Sequence, residues 1–206
     1  AHRSTLHFSG DTYGQWRLLE QEVAATPLAA NVLLGYVSHD IGAFNKGAPD
    51  WKQNKPPDDL MVRWVQFGAL SPIFRIHSDH GVREPWRFGR RAFRIMKEFF
   101  QLREQLRPRL RELAREAHET GVSICRPMYY EFPDREESYQ YSLQYMIGES
   151  LLVSPVVRED GWTTTWLPPG TWRHHFLERE IIGPCVLREE VPLEVMPVYE
   201  LVDRKG

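Results

Sequence analysis

Three short apolar runs in the first part of the chain, each closed by polar residues, constrain its fold more than any other feature. They are "TLHFSGD", "VLLGYVSHDIG" and "SPIFRIHSDHG". Each is rich in β-branched and aromatic residues and has the length of a strand rather than a helix. Between them, apolar residues recur at helical spacing: Trp16, Leu19 and Val23, then Leu60, Trp64 and Phe67. Strand, helix and strand in alternation predict an α/β layout. In parallel sheets and barrels, functional residues gather at the C-terminal ends of strands. Asp11, Asp40 and His77 all hold that kind of position.

The spacing predicts a helix over residues 13–25, started by a capping box of Thr12 and Gln15 and ended by Pro27. The next strand ends near His39 or Asp40. "NKGAPDWKQNKPPDD" then reads as a polar, proline-rich loop, and residues 59–70 as a helix. Residues 86–120 are helical in pattern, with Leu106, Leu110, Leu113 and Ala117 in one stripe. Pro108 predicts two helices there, or one kinked helix. This stretch is rich in arginine, including Arg87, Arg90, Arg91, Arg94, Arg103, Arg107, Arg109, Arg111 and Arg115. Glu98, Glu104, Glu112 and Glu116 are interleaved, and the net charge of the chain is −2. The pattern reads as a solvated face rather than a nucleic-acid surface.

After Gly121 the texture changes. "SLLVSPVV", "TTTWLPPGTWRHHF" and "GPCVLREEVPLEVMPVYELV" are β-prone runs broken by proline and glycine, the pattern of an antiparallel β domain. "LPPGTW" reads as a turn between two strands. The two cysteines, Cys125 and Cys185, form neither a CxxC pair nor a Cys/His cluster of zinc spacing, so no metal site is expected. No apolar stretch approaches the roughly 20 residues that span a bilayer, so no membrane partner is expected. The cysteines leave the compartment open. The chain starts "AHRST", without Met, and reads as processed or as part of a longer protein.

In order, the chain carries "FSGD", "HDIGAF", "RWVQFGALSPIFRIHSD", "EPW", "TGVSICRPMYYEFP" and "LQYMIGESLLVSPVV". This series resembles the C-terminal half of glycoside hydrolase family 31, the α-glucosidase and α-xylosidase family. The resemblance implies an α/β fold: the C-terminal portion of a (β/α)8 TIM barrel, residues 1–123, followed by a sandwich-like proximal β domain, residues 124–206. Residues 6–9, 35–39 and 73–76 would then belong to barrel strands six, seven and eight. It implies that Asp11, the Asp of the family's "GD" step, is the general acid/base. Asp40, the Asp of "DIG", and His77, the His of the "R-x-H" step, would bind the sugar in the −1 subsite, with Phe44 as a wall. Phe8 stands where the family commonly has Trp, and Arg3 precedes the acid/base at a spacing the family often fills with Arg. Sugar substrates are expected, from α-glucosides, α-xylosides, α-galactosides and sulfonated glucosides, with hydrolysis or transfer, and no cofactor.

The residue types suit that chemistry. Acetal cleavage needs a proton on the leaving oxygen as oxocarbenium character develops. A carboxylic acid supplies it when an apolar wall or a second carboxylate raises its pKa, and Phe8 and Trp16 are candidates for that wall. Plainer readings stand beside these: Asp11 as a helix cap, Asp40 as a turn residue, His77 as a core histidine. A retaining glycosidase also needs a second carboxylate. In the family it lies in a Trp-x-Asp-x-Asn-type motif after barrel strand four, and these 206 residues contain no such motif. The chain is therefore expected to be inactive alone and to require the N-terminal half of the barrel. A non-catalytic homologue that binds sugar or a partner is the alternative.

Overall fold

The computed structural model describes residues 5–45, 52–79 and 81–204. Strand β1 (His7–Phe8) leads through a turn into α1 (Trp16–Leu28), and β2 (Val37–Ser38) returns beside β1 in parallel. The 73–76 run lies along β2 as isolated parallel bridges, Ser38 to Ile73 and Ile41 to Ile76, rather than as the regular strand expected. Pro72 has no N–H to give a ladder. The Ile73 carbonyl accepts from the Ser71 hydroxyl at 3.1 Å.

Two local expectations for α1 fail. Its N-cap is Gln15, with no side-chain cap bond. Thr12 directs its hydroxyl to the Glu22 carboxyl at 3.1 Å, so no capping box forms. Nor does Pro27 end the helix. It lies buried in the last turn, where a proline deprives the helix of only one N–H, and a 3₁₀ turn at Ala29–Val32 follows. The segment stops at Leu33, whose φ of 61° is left-handed.

Helix α2 (Asp58–Ala69) opens with Asp58 and Asp59, charges that suit the positive end of the helix dipole. It is buried on every side from Leu60 to Ala69, not on one face alone. Arg63 on α2 donates to the carbonyls of Val191 (2.5 Å), Pro192 (3.2 Å) and Val195 (2.7 Å). Burial presses this guanidinium down to about 10, against the pull of Glu194 and Asp59.

Helix α3 (Arg90–Thr120) is a single helix through Pro108. Pro108 is on the exposed side, where the carbonyl it frees can turn to water. Gly121, with φ of +82°, closes the helix in the left-handed conformation that a C-terminal glycine allows. Most arginines of α3 are exposed, but two are structural. Arg103 binds the carbonyls of Ala69, Ser71 and Pro72, and Arg109 binds Ile147 and Ser150.

Beyond α3 come β3 (Cys125–Arg126), the short α4 (Met128–Glu131), β4 (Tyr145–Ile147), β5 (Leu151–Val153), β6 (Trp162–His174), β7 (Glu180–Glu190) and β8 (Val198–Asp203). They form one antiparallel sheet in the order β3-β4-β5-β8-β6-β7. "LPPGTW" is not a turn between strands. It lies inside β6, where the register with β7 shifts between Leu167 and Gly170. Prolines within a sheet are tolerated at such a bulge.

Side chains of the sheet alternate between two cores, as a period of two requires. Tyr145, Ile147, Leu151 and Val153 face α2 and α3 in a core shared with Leu19, Val23, Trp64, Phe67 and Phe99. Met146, Leu152, Trp166, Leu167, Trp172 and Tyr199 form the second core. The shared core and the Tyr145 hydroxyl, which donates to the Leu70 carbonyl at 3.0 Å, fix the sheet against the α/β segment.

Candidate active site

The site lies where β1, β2 and the 73–76 run end together. His7 N–H donates to the Tyr36 carbonyl (3.0 Å), Ser9 N–H to Ser38 (3.2 Å) and Ile41 N–H to Arg75 (3.0 Å). These bonds bring the Asp11 turn, Asp40 and His77 to the same edge. Gly10 has φ of +83°, and that left-handed step delivers Asp11 beyond the strand. Asn45 holds the turn from outside. Its side-chain amide donates to the Asp11 carbonyl at 2.9 Å and its backbone N–H to Thr12 at 2.8 Å. The Asp11 side chain is exposed and caps no helix.

Asp40 is fully buried. Its Oδ1 pairs with the Arg75 guanidinium, while its Oδ2 has no hydrogen-bond partner among the described residues. Burial raises the Asp40 carboxyl above its ordinary value; Arg75 and His77 oppose the rise and Asp11 adds to it. Asp40 thus senses Asp11, Arg75 and His77 at once. The Phe44 ring leans on His77 with centroids 5.4 Å apart, and the Arg75 guanidinium lies 5.2 Å from the Phe8 ring centroid. Phe8 is half-exposed, and Trp16 lines a cleft with Arg17, Glu20, Arg158 and Asp160. Arg3 lies outside the described residues, as do residues 46–51 of the 45–59 loop.

Three further residues organise the site. Arg75 is the Arg of the R-x-H step, present in the motif but given no role by sequence. Arg83 is buried and donates to the carbonyls of Gly42 (2.5 Å) and Ala43 (3.2 and 2.9 Å), holding the turn after Asp40. At Gly42, whose φ is +91°, a Cβ would stand 2.6 Å from Arg83 Cδ, so the close approach requires glycine. The third is Glu22, a buried carboxyl on α1. Its signal in the sequence was a charge placed between Leu19 and Val23 on an apolar stripe. Among the described residues no group of three His, Cys, Asp or Glu side chains is arranged to hold a metal ion. Both cysteines are unpaired.

Residues 1–113 match the model of the Glycosyl hydrolases family 31 TIM-barrel domain, and residues 121–200 that of the Glycosyl hydrolase family 31 C-terminal domain. The chain is 31% identical over 200 residues to Alpha-glucosidase 2 of Bacillus thermoamyloliquefaciens, covering 93% of this chain and 24% of that protein. It is 33% identical over 198 residues to an Alpha-xylosidase of Saccharolobus solfataricus, covering 95% of this chain and 27% of that protein. The fold superposes on a Flavobacterium johnsoniae family 31 dextranase complexed with isomaltotriose at a TM-score of 0.89 and 29% identity. That match covers 97% of this chain and 25% of the dextranase. The chain spans about a quarter of the length of these relatives.

Proposed function

The chain belongs to glycoside hydrolase family 31, and from that premise we propose that it carries the acid/base half of a retaining α-glycosidase site. The observation that carries this reading is the convergence on Asp40. One buried carboxyl, at the end of β2, interacts with Asp11 from the turn after β1 and with Arg75 and His77 from the run that begins at residue 73, so three chain segments meet at one edge. Asp11, exposed beyond its strand, protonates the leaving oxygen as the glycosidic bond breaks, and in the second step takes the proton from water. Asp40 stays fixed by Arg75 through Oδ1 and offers Oδ2 to a sugar hydroxyl. His77 binds a further hydroxyl, and Phe44 packs beside it as a wall of the same subsite.

The second carboxylate that retention needs, about 5–5.5 Å from the first, has no family motif within these 206 residues. The isolated chain therefore turns over no glycoside, and the preceding barrel strands supply the nucleophile. The sugar is an α-glycoside of the kind the relatives' names describe, glucoside or xyloside. The boundary between barrel segment and β domain falls between residues 123 and 124, just past the glycine that closes α3.

The test uses a barrel-complete protein containing this chain and an aryl α-glycoside. Asp11→Asn is expected to lower turnover by roughly 10²–10⁴-fold, and proton NMR of the first-formed product to show the α-anomer. Inversion, or full activity in Asp11→Asn, would overturn the reading. The absent nucleophile motif favours one rival, a sugar-binding homologue without catalysis. Oligosaccharide binding with no turnover by the barrel-complete protein would establish that rival.

A further inference from the structure

Glu22 is a buried carboxyl that the chemistry above leaves unused, and it touches the site from beneath. Its Oε1 accepts from Thr12 Oγ1 at 3.1 Å and from Ser9 Oγ at 3.4 Å. Its Oε2 accepts from the Trp64 indole Nε1 at 2.7 Å and stands 3.9 Å from His39 Nδ1. Ser9 and Thr12 bracket Asp11 on the β1–α1 turn, and His39 immediately precedes Asp40. The other ring nitrogen of His39 bonds the Thr26 hydroxyl at 2.8 Å, and that hydroxyl donates to the Glu22 carbonyl at 2.7 Å. Glu22 on α1 thus ties the Asp11 turn to α2 through its carboxyl, and reaches the strand end that bears Asp40 through the 3.9 Å approach to His39 and through its main-chain carbonyl by way of Thr26.

We propose that Glu22 is a positioning residue, whose carboxyl fixes the Asp11 turn relative to the strand end that bears Asp40. The inference rests on the reading of Asp11 and Asp40 given above. Among the described residues the Asp11 side chain has no hydrogen-bond partner to fix it, so its placement is that of its backbone turn. Asn45 holds that turn from outside and Glu22 from inside. A buried carboxyl is a poor choice for stability alone, because an apolar residue of similar volume serves as well or better. Here each carboxyl oxygen has a donor, and the donors come from separate elements. Burial lifts the Glu22 carboxyl to about 7, with Trp64, Thr12 and Ser9 opposing and Asp40 adding to the rise. Glu22 and Asp40 therefore sense one another.

Hydrogen–deuterium exchange of the 206-residue chain tests the placement directly. Glu22→Ala is expected to speed exchange in peptides spanning 9–16 and 36–41 while leaving 145–153 in the sheet unchanged, and Glu22→Gln to restore both. Thr12→Val, which removes a single contact, gives the same readout in 9–16 should Glu22→Ala fail to fold. Unchanged exchange in 9–16 and 36–41, or an equal rise everywhere, would overturn the proposal. In the barrel-complete protein, Glu22→Ala is expected to lower kcat by about 10–100-fold with KM changed less than about threefold, the signature of misplaced rather than missing catalytic groups. Glu22→Gln should recover most of that loss. Wild-type kcat in a folded Glu22→Ala variant would also overturn the inference. Asp11→Asn, run in parallel, reports separately on the glycosidase reading.

Discussion

Ser38 and Ser154 are both buried serines just at or after the end of a short strand, and they are treated differently. Ser154 Oγ accepts from the Thr165 hydroxyl at 2.8 Å. Among the described residues Ser38 Oγ has no hydrogen-bond partner, and neither do His39 Nδ1, Asp40 Oδ2 or Asn54 Oδ1. Every such orphaned side-chain atom among the described residues lies in the barrel segment, and three belong to consecutive residues at the end of β2. In the β domain even the awkward places are satisfied. Gln144 uses its amide to complete the ladder beside Trp166, accepting from its N–H and donating to its carbonyl, both at 2.8 Å. His174 Nδ1 accepts from the N–H groups of Phe176 (3.2 Å) and Leu177 (3.3 Å). Unmet polar atoms in a low-dielectric interior destabilise a fold, so they persist where something other than stability selects them. Among the described residues the β domain satisfies its buried side-chain polar atoms, and the strand end of β2 does not.

The sharpest way to break this contrast is to orphan polar atoms in the β domain. Gln144→Leu fills the same space but leaves the N–H and carbonyl of Trp166 unpaired, at about 1–3 kcal/mol for each group. Urea denaturation followed by circular dichroism is expected to show a loss of several kcal/mol, the largest effect predicted here. A loss below 1 kcal/mol would mean that the sheet tolerates orphaned atoms as the strand ends do.

Next in size is the Glu22–His39 pair, which titrates in opposed directions. Glu22 is raised from 4.5 to about 7 by burial, so its contribution to stability is full below 4.5 and is lost as pH rises through about 7. His39 is lowered from 6.5 to about 4, also by burial, so its contribution is full above 6.5 and is lost as pH falls through about 4. Across the overlap the two slopes cancel. Glu22→Gln removes one of them. The variant is expected to lose about 3 kcal/mol, relative to the wild-type profile, as pH falls through the window between 6.5 and about 4. Melts across that range would show a wild-type plateau replaced by a slope. Parallel profiles would show that the pair does not titrate as a unit.

What the sequence could show follows the same division. Alternating strand and helix patterns, the order of the motifs and the placing of Asp11, Asp40 and His77 at strand ends were legible, because each depends on local spacing. The texture change at Gly121 was legible too, and Gly121 does close α3. What was not legible depends on tertiary partners. Thr12 and Gln15 have the spacing of a capping box, but a buried Glu22 ten residues on competes for the Thr12 hydroxyl and wins. Pro108 and the prolines of "LPPGTW" are local breakers that context absorbs, one on an exposed helix face and the others at a bulge. Arg103 looked like one of many solvated arginines until the carbonyls at the end of α2 surrounded it. Arg75 stood inside a quoted motif, and only the structure turns it toward Asp40.

Single hydroxyl deletions compare the two regions atom for atom. Ser154→Ala strands the Thr165 hydroxyl and is expected to cost about 1–2 kcal/mol, whereas Ser38→Ala removes a hydroxyl that has no hydrogen-bond partner among the described residues and is expected to be neutral or stabilising. Equal losses from the two would erase the contrast between the regions.

The smallest effect belongs to the turn that follows Asp40. Ala43 is fully buried with φ of +70°, and its N–H donates to the Asp40 carbonyl at 2.8 Å. An L-residue held left-handed costs roughly 1–2 kcal/mol, and glycine relieves it. Glycine also gives the unfolded chain more freedom, which offsets about 0.4–1 kcal/mol of that relief. Ala43→Gly is therefore expected to stabilise the chain by about 0.5–1 kcal/mol, read as a small rise in urea midpoint at constant slope. Strain at this position belongs with the orphaned atoms beside it, since both are held in place by surrounding structure: Arg83 clamps the Ala43 carbonyl from one side and Asp40 accepts its N–H from the other. A destabilised Ala43→Gly variant would show that the methyl group's packing, not its backbone angle, sets the energy of the turn, and would remove strain from the features that distinguish the barrel segment.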